Sequence, residues 1–249
     1  MAPGRSFDAE AVEEALRGLP SIELKGLFRR SSNYTFLAEL CDEAGGSPPL
    51  LAVYKPAEGE SPLWDFPTGG LYRREVAAYE VAKQLGWPRV PPTVVREEAP
   101  HGIGAMQMYV VAQPERHYLA AAGEPAHVWI EVALFDVLTN NADRKSGHCL
   151  TDGDGLVWVI DHGLTFHVDP KLRTVIWDFA GQPLPPRLRP DLERLADCLS
   201  PGGPAAGRLG ELLSRRELSV LRRRLHAMLQ PGWELPHPTS AWSVPWPPV

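Results

Sequence analysis

Cysteine, lysine and net positive charge are scarce in this chain, and long apolar runs are absent. The three cysteines in 249 residues, Cys41, Cys149 and Cys198, are too few and too scattered for a disulfide framework. None is spaced for a zinc site, so a reduced, cytoplasmic setting is expected. Basic residues number 25 against 31 acidic ones, a formal net charge of −6. A protein built for non-specific nucleic-acid binding carries the opposite sign. The longest apolar stretch, residues 128–138, is interrupted by Glu131 and Asp136 and is too short to span a bilayer. The N-terminus has no apolar core of the signal-peptide kind. Neither a nucleic-acid partner nor an integral membrane association is expected.

What is present is ordinary globular material, 44 % apolar and 22 % charged. At roughly 150 residues per domain the length corresponds to about 1.7 domains, either one large domain or two intimately packed lobes. Periodicity and breakers predict a short helix over 8–18 with Asp8 as its N-cap. Strands follow at 22–29, 34–40 and 50–55, the last stopped by Pro56. A Gly/Pro-rich loop covers 56–70, a helix 71–85 ends at Gly86, and strands lie near 93–96 and 105–112. After about residue 113 the character changes. A dense apolar helix over 128–139 leads into a polar loop, then two short strands turn at 152–155, and helices follow, the clearest at 215–229. The expected architecture is α+β, with a β-rich N-lobe over 1–112 and a mainly helical C-lobe over 113–249 sharing a cleft.

Four positions carry the chemistry. Lys55 ends the apolar strand LLAVYK, where a cation is costly without a partner. It is either aimed at an anionic group or snorkelling off a strand end. Glu75 shares a helix face with Leu71, Ala78, Tyr79 and Ala82, and a carboxylate there wants a cationic partner. The alternative is a first-turn acid favoured by the helix dipole. In the loop Asn140 to His148, Asp143 can act as a base or positioning group and His148 can reach a metal or phosphate; the alternative is a solvated turn. Asp161 follows the β-formers Val157 to Ile160 and stands where an oxygen ligand for Mg2+ is well placed; the alternative is a plain strand-to-turn junction. In this order, strand lysine, helix glutamate, loop aspartate and strand-end aspartate are the parts of a protein-kinase-like phosphotransferase.

The segments Phe135-Asp136-Val137-Leu138-Thr139-Asn140-Asn141-Ala142-Asp143-Arg144 and Val159-Ile160-Asp161-His162-Gly163-Leu164 resemble the catalytic and metal-binding segments of the phosphatidylinositol 3-/4-kinase-like superfamily. The type II phosphatidylinositol 4-kinases are nearest and the HipA-type kinases more distant. Val53-Tyr54-Lys55-Pro56 is similar to the strand motif of the same families. The resemblance covers roughly residues 22–180. It implies a bilobal protein-kinase-like fold that binds ATP and Mg2+. Lys55 would contact the α- and β-phosphates, with Glu75 as its anchor. Asp143 would position or deprotonate the acceptor hydroxyl. Arg144 would support the loop or a phosphate. Asp161 would chelate the metal. The turn Arg29-Arg30-Ser31-Ser32-Asn33 would cover the nucleotide, and the backbone of Met108, Tyr109, Val110 and Val111 would meet adenine.

This chain departs from that pattern in two places. His148 stands where the family has an asparagine as second metal ligand, and imidazole suits Mn2+ or other transition metals better than hard Mg2+. The phosphate loop lacks glycines beyond Gly26. The loop over 56–70 also has no cysteine, so no lipidated insert is expected there. The leading expectation is transfer of the γ-phosphoryl of ATP to a hydroxyl of a protein, an inositol-type compound or another small molecule. A nucleotide-sensing pseudokinase and a nucleotidyl transferase are the alternatives. Arg222, Arg223 and Arg224 are expected on a solvated helix face. Trp233, Trp242 and Trp246 are expected to dock the C-terminal tail onto the second lobe, with recruitment of a protein partner as the alternative.

Overall fold

The computed structural model describes residues 8–28, 33–42, 48–120 and 126–249. Helix α1 (Ala9–Gly18) begins at Asp8, whose Oδ1 accepts from the Ala11 N–H at 3.1 Å, as the N-cap position predicts. Strands β1 (Ser21–Leu27), β2 (Phe36–Cys41), β3 (Leu50–Pro56), β4 (Thr93–Arg96) and β5 (Gly104–Met108) form one sheet. Its order is β1-β2-β3-β5-β4, and every pair is antiparallel. Helix α2 (Leu71–Leu85) lies between β3 and β4 in the chain.

Alternation along the strands sorts the sheet into two faces. Ala38 and Leu40 of β2, Ala52 and Tyr54 of β3, Val94 of β4 and Met106 of β5 are fully buried on one face, against Leu16 of α1. Arg96 holds α1 to that face from β4: its guanidinium donates to the carbonyls of Leu16, Arg17 and Leu19 at the helix C-terminus. Lys55 alternates with Tyr54 and therefore points to the opposite face.

The second half holds helix α3 (Ala126–Thr139), the hairpin β6 (Cys149–Thr151) and β7 (Val157–Val159), and helices α4 (Arg189–Cys198), α5 (Pro204–Leu212) and α6 (Arg215–Met228). Asp152 shapes the hairpin turn: Oδ1 accepts from Asp154 and Leu156 N–H groups, and Oδ2 accepts from the Trp158 indole. The α+β division into a sheet-rich first half and a helical second half is the one expected.

The chain separates into two compact units, Met1–Val76 with Pro91–Val111, and Ala77–Val90 with Ala112–Val249. Residues 77–90 were expected with the first half and cluster with the second. The reason is a set of polar ties. Trp87 Nε1 donates to Asp191, Arg208 Nε to Glu80, Arg194 to the Leu85 carbonyl, and the Val159 N–H to the Arg89 carbonyl. No helix of the described residues is long and apolar enough to cross a membrane.

Two features of the second unit differ from expectation. Arg222 and Arg224 do not lie on a solvated face. Arg222 donates to the Leu199 carbonyl, and Arg224 donates to the carbonyls of Leu138 and His167, so these side chains join α6 to its neighbours. The tail does dock, through backbone hydrogen bonds and the buried Leu235 side chain, with Trp233 half-buried and the indoles of Trp242 and Trp246 left outside. Trp242 is 81 % and Trp246 88 % exposed. The contacts are Gly181 N–H to the Leu235 carbonyl, Thr174 N–H to that of Ser243 and Ser146 N–H to that of Pro248. Hydrogen bonds won over indole burial because the segment facing the tail is irregular coil, which leaves donors to satisfy.

Candidate active site

In the first unit, Lys55 Nζ lies 2.5 Å from Glu75 Oε1, and the Glu75 side chain is almost wholly buried. The strand period places Lys55 on the face away from the α1 core, and Glu75 reaches it from the second turn of α2. The approach depends on Gly104, opposite Pro56 in β5. A Cβ there would stand 2.4 Å from the Lys55 carbonyl oxygen and 2.7 Å from Pro56 Cα. The start of α2 is satisfied by Glu60, whose Oε1 accepts from the Tyr72 N–H at 2.8 Å.

The turn expected to cover a nucleotide is only partly described. Ser31 and Ser32, with Arg29 and Arg30, lie outside the described residues. Asn33 is described, and its Oδ1 accepts from the Ser61 N–H at 2.7 Å, tying this end of the turn to the loop after β3. At the expected adenine-facing backbone, the Met108 N–H is taken by the Pro92 carbonyl and the Tyr109 N–H by that of Leu51. Among the described residues the N–H groups of Val110 and Val111 have no such partner, and Val111 is largely exposed. The hydrogen-bonding edge is thus narrower than expected.

In the second unit the catalytic-loop candidates are built on one buried network. Asp136 is fully buried on α3. Its carboxylate accepts from Arg144 Nε and Nη2 at 2.9–3.1 Å, from Asn141 Nδ2 at 3.0 Å and from Thr174 Oγ1 at 3.3 Å. Asn141 Oδ1 in turn accepts from the Asp143 N–H at 3.0 Å. Arg144 also donates to the Ile160 carbonyl and to His162 Nε2. It is 0 % exposed, so it meets no phosphate. Of the roles expected for it, loop support is the one the geometry allows. Arg144 is a positioning residue that clamps the Asp143 loop to the strand end before Asp161.

Asp143 itself is partly exposed, with Lys145 Nζ 3.3 Å from its Oδ2. Burial pushes its carboxyl up to about 6, and the charge of Asp161 adds to this, while Lys145 and Arg144 oppose it. A carboxyl in that range is suited to proton transfer near neutral pH. Asp161 and His148 lie side by side, with Oδ2 3.2 Å from Nε2. His148 Nδ1 accepts from the Lys145 N–H at 3.4 Å, which turns Nε2 toward Asp161. Asp161 has φ +62 and Asn140 φ +53. With Phe166 at φ +60 these are three non-glycine residues in the left-handed region among the described residues, a form of local strain that persists where the surroundings over-determine it.

Among the described residues no group of three or more His, Cys, Asp or Glu gathers as a metal cage. Two protein donors, Asp161 and His148, fit an ion that arrives with a phosphate ligand and completes its shell from phosphate oxygens and water. His162, by contrast, is buried against Arg144 and Phe135.

Sequence reasoning missed Asp136, Asn141 and Thr174. Asp136 had a legible signal, since a carboxylate inside an apolar helix needs a cation, the same logic that singled out Glu75. Thr174 had none, because its contact spans 38 residues.

No protein-family model matches the chain. Protein Rv2133c of Mycobacterium tuberculosis is 38 % identical over 94 % of this chain and 95 % of its own length. Among solved structures, hydra Fam20, determined with sugar, superposes with a TM-score of 0.50 at 14 % identity, covering 90 % of this chain and 95 % of that one. The Helicobacter pylori proinflammatory kinase CtkA gives a TM-score of 0.46 at 12 % identity, over 83 % and 91 % of the two chains. The fold is α+β and protein-kinase-like.

Proposed function

The chain belongs to the family of protein Rv2133c, and from the groups assembled on its fold we propose that it is an ATP-dependent phosphotransferase of phosphatidylinositol 3-/4-kinase-like type. The observation that carries this reading is the Lys55–Glu75 pair at 2.5 Å. A lysine held by a buried carboxylate on the sheet face away from α1 is a preorganised cation for phosphate oxygens.

The remaining groups take complementary parts. Asp143 accepts the proton of the acceptor hydroxyl as its oxygen bonds to the γ-phosphorus. The bond from that phosphorus to the bridging oxygen breaks, and ADP leaves. Asp161 and His148 would hold a divalent ion, which would supply neutralisation of phosphate charge. Arg144 and Asp136 keep Asp143 in place, and Val110 and Val111 offer backbone N–H groups to adenine. The acceptor is a hydroxyl on a protein, an inositol-type compound or another small molecule.

Incubation with γ- and α-labelled ATP and either Mg2+ or Mn2+ tests this. ADP release that depends on the metal and disappears in Asp161→Asn and Lys55→Met is the expected result. Asp143→Asn should still bind ATP while losing turnover. ATP binding without ADP release under either metal would leave a nucleotide sensor in its place, and transfer of the α-label would make it a nucleotidyl transferase.

A further inference from the structure

A second polar site lies in the helical unit. A cleft of about 810 Å3 is bounded by α6, by the loop 168–177 and by the tail at 236–243. Its walls carry Lys171, Arg173, Arg223, Arg224 and His237, and not one aspartate or glutamate. In a chain with 31 acidic and 25 basic residues, an acid-free wall runs against the average. Among the described residues Arg173, Arg223 and Arg224 form no ion pair. Burial, and after it the charge of the neighbouring Arg223, pull Arg224 down to about 10.

Stapling of carbonyls accounts for Arg224, which binds those of Leu138 and His167 at 2.8 and 2.7 Å. It does not account for Arg173 and Arg223, which are exposed at the same cleft. Guanidinium groups are matched to phosphate oxygens by geometry as well as charge. The volume is that of a small-molecule pocket and is larger than one phosphate needs. We propose that this cleft binds a small molecule carrying two or more phosphate groups.

The site is connected to the Asp143 loop. The Arg173 N–H donates to the Asn141 carbonyl at 2.9 Å, and its own carbonyl accepts from the Arg144 N–H at 3.0 Å. The Asn140 side chain donates to the carbonyls of His167 and Asp169 and accepts from the Lys171 N–H. An occupant held by Arg173 therefore stiffens the segment on which residues 141–144 rest.

Titration calorimetry of the full chain with tripolyphosphate, without divalent metal, is the test. Saturable binding is expected. It should weaken by on the order of tenfold in each of Arg173→Ala and Arg223→Ala, vanish in the double charge reversal R173E/R223E, and persist in Lys55→Met. Amide exchange over 168–177 should slow on binding in the unaltered protein. Circular dichroism confirms that each variant is folded, and the two alanine variants decide the matter should the double reversal not fold. Absence of saturable binding overturns the proposal. So does binding that survives both alanine variants or is abolished by Lys55→Met. Phosphatidylserine vesicles separate a soluble ligand from a headgroup source, and sedimentation with vesicles in the absence of tripolyphosphate binding also overturns it. Because no metal and no transfer step is involved, failure here is distinct from failure of the phosphotransfer reading.

Discussion

Asp143 shows how far surroundings alter a single residue. Its carboxyl sits at about 6 because burial and the charge of Asp161 disfavour ionisation. A base must be ionised to accept a proton, so turnover should rise with pH along a limb near that value. Lys145 favours the ionised form, so Lys145→Met should move the limb to higher pH, and a pH-rate profile that stays in place would remove Lys145 from this role. The stability consequence has the opposite sense. With a folded pKa above the unfolded one, the folded protein binds more protons between about pH 4 and 6, so stability falls as pH rises through that window. Asp143→Asn should flatten this slope in denaturation curves measured across it. Arg144 belongs to the same scale. Replacing it by alanine strands the fully buried Asp136 carboxylate and should cost about 3–5 kcal/mol in denaturant unfolding. Arg144→Lys should not restore it, because lysine lacks the planar fork that meets Asp136, Ile160 and His162 together.

At the level of elements, β3 and β5 fix where Lys55 points. Gly104 faces the Lys55 carbonyl so closely that any Cβ must push the two strands apart. Gly104→Ala should therefore destabilise the sheet by about 1–3 kcal/mol and weaken ATP binding through displacement of the Lys55–Glu75 pair. Ordinary ATP affinity in a folded Gly104→Ala protein would show that the pair tolerates the shift. Much of this was legible from alternation: Ala52 and Tyr54 turn inward and Lys55 outward on a period of two. The requirement for glycine at 104 was not, since nothing in the local sequence reveals which backbone will lie across from it.

For the molecule as a whole, the C-terminal segment acts as a strap within the helical unit. It binds residues 174–181 and then reaches the Asp143 loop, where the Ser146 N–H donates to the Pro248 carbonyl at 2.8 Å. A chain ending at Val244 should lose about 1 kcal/mol for that bond and exchange its Ser146 amide faster, while the Thr174 amide, bound to Ser243, keeps its protection. Unchanged exchange at Ser146 would mean that the loop holds itself. The exposed Trp242 and Trp246 are left outside this strap; hydropathy alone expected them inside, and hydrogen-bond satisfaction along the coil decided otherwise.

The sequence by itself determined the order of elements, the β-rich and helical halves, and that a strand lysine and a helix carboxylate each needed a partner. These depend on periodicity and on the cost of an unpaired charge in an apolar run, which act over a few residues. Only the tertiary structure decided that Arg144 is a buried clamp and not a phosphate contact, that Asp136 is its partner, that residues 77–90 join the helical unit, and that α6 contributes its arginines to an acid-free cleft. Each of these depends on groups brought together from distant positions, whose desolvation and hydrogen bonding are set by what surrounds them and not by their neighbours in the chain.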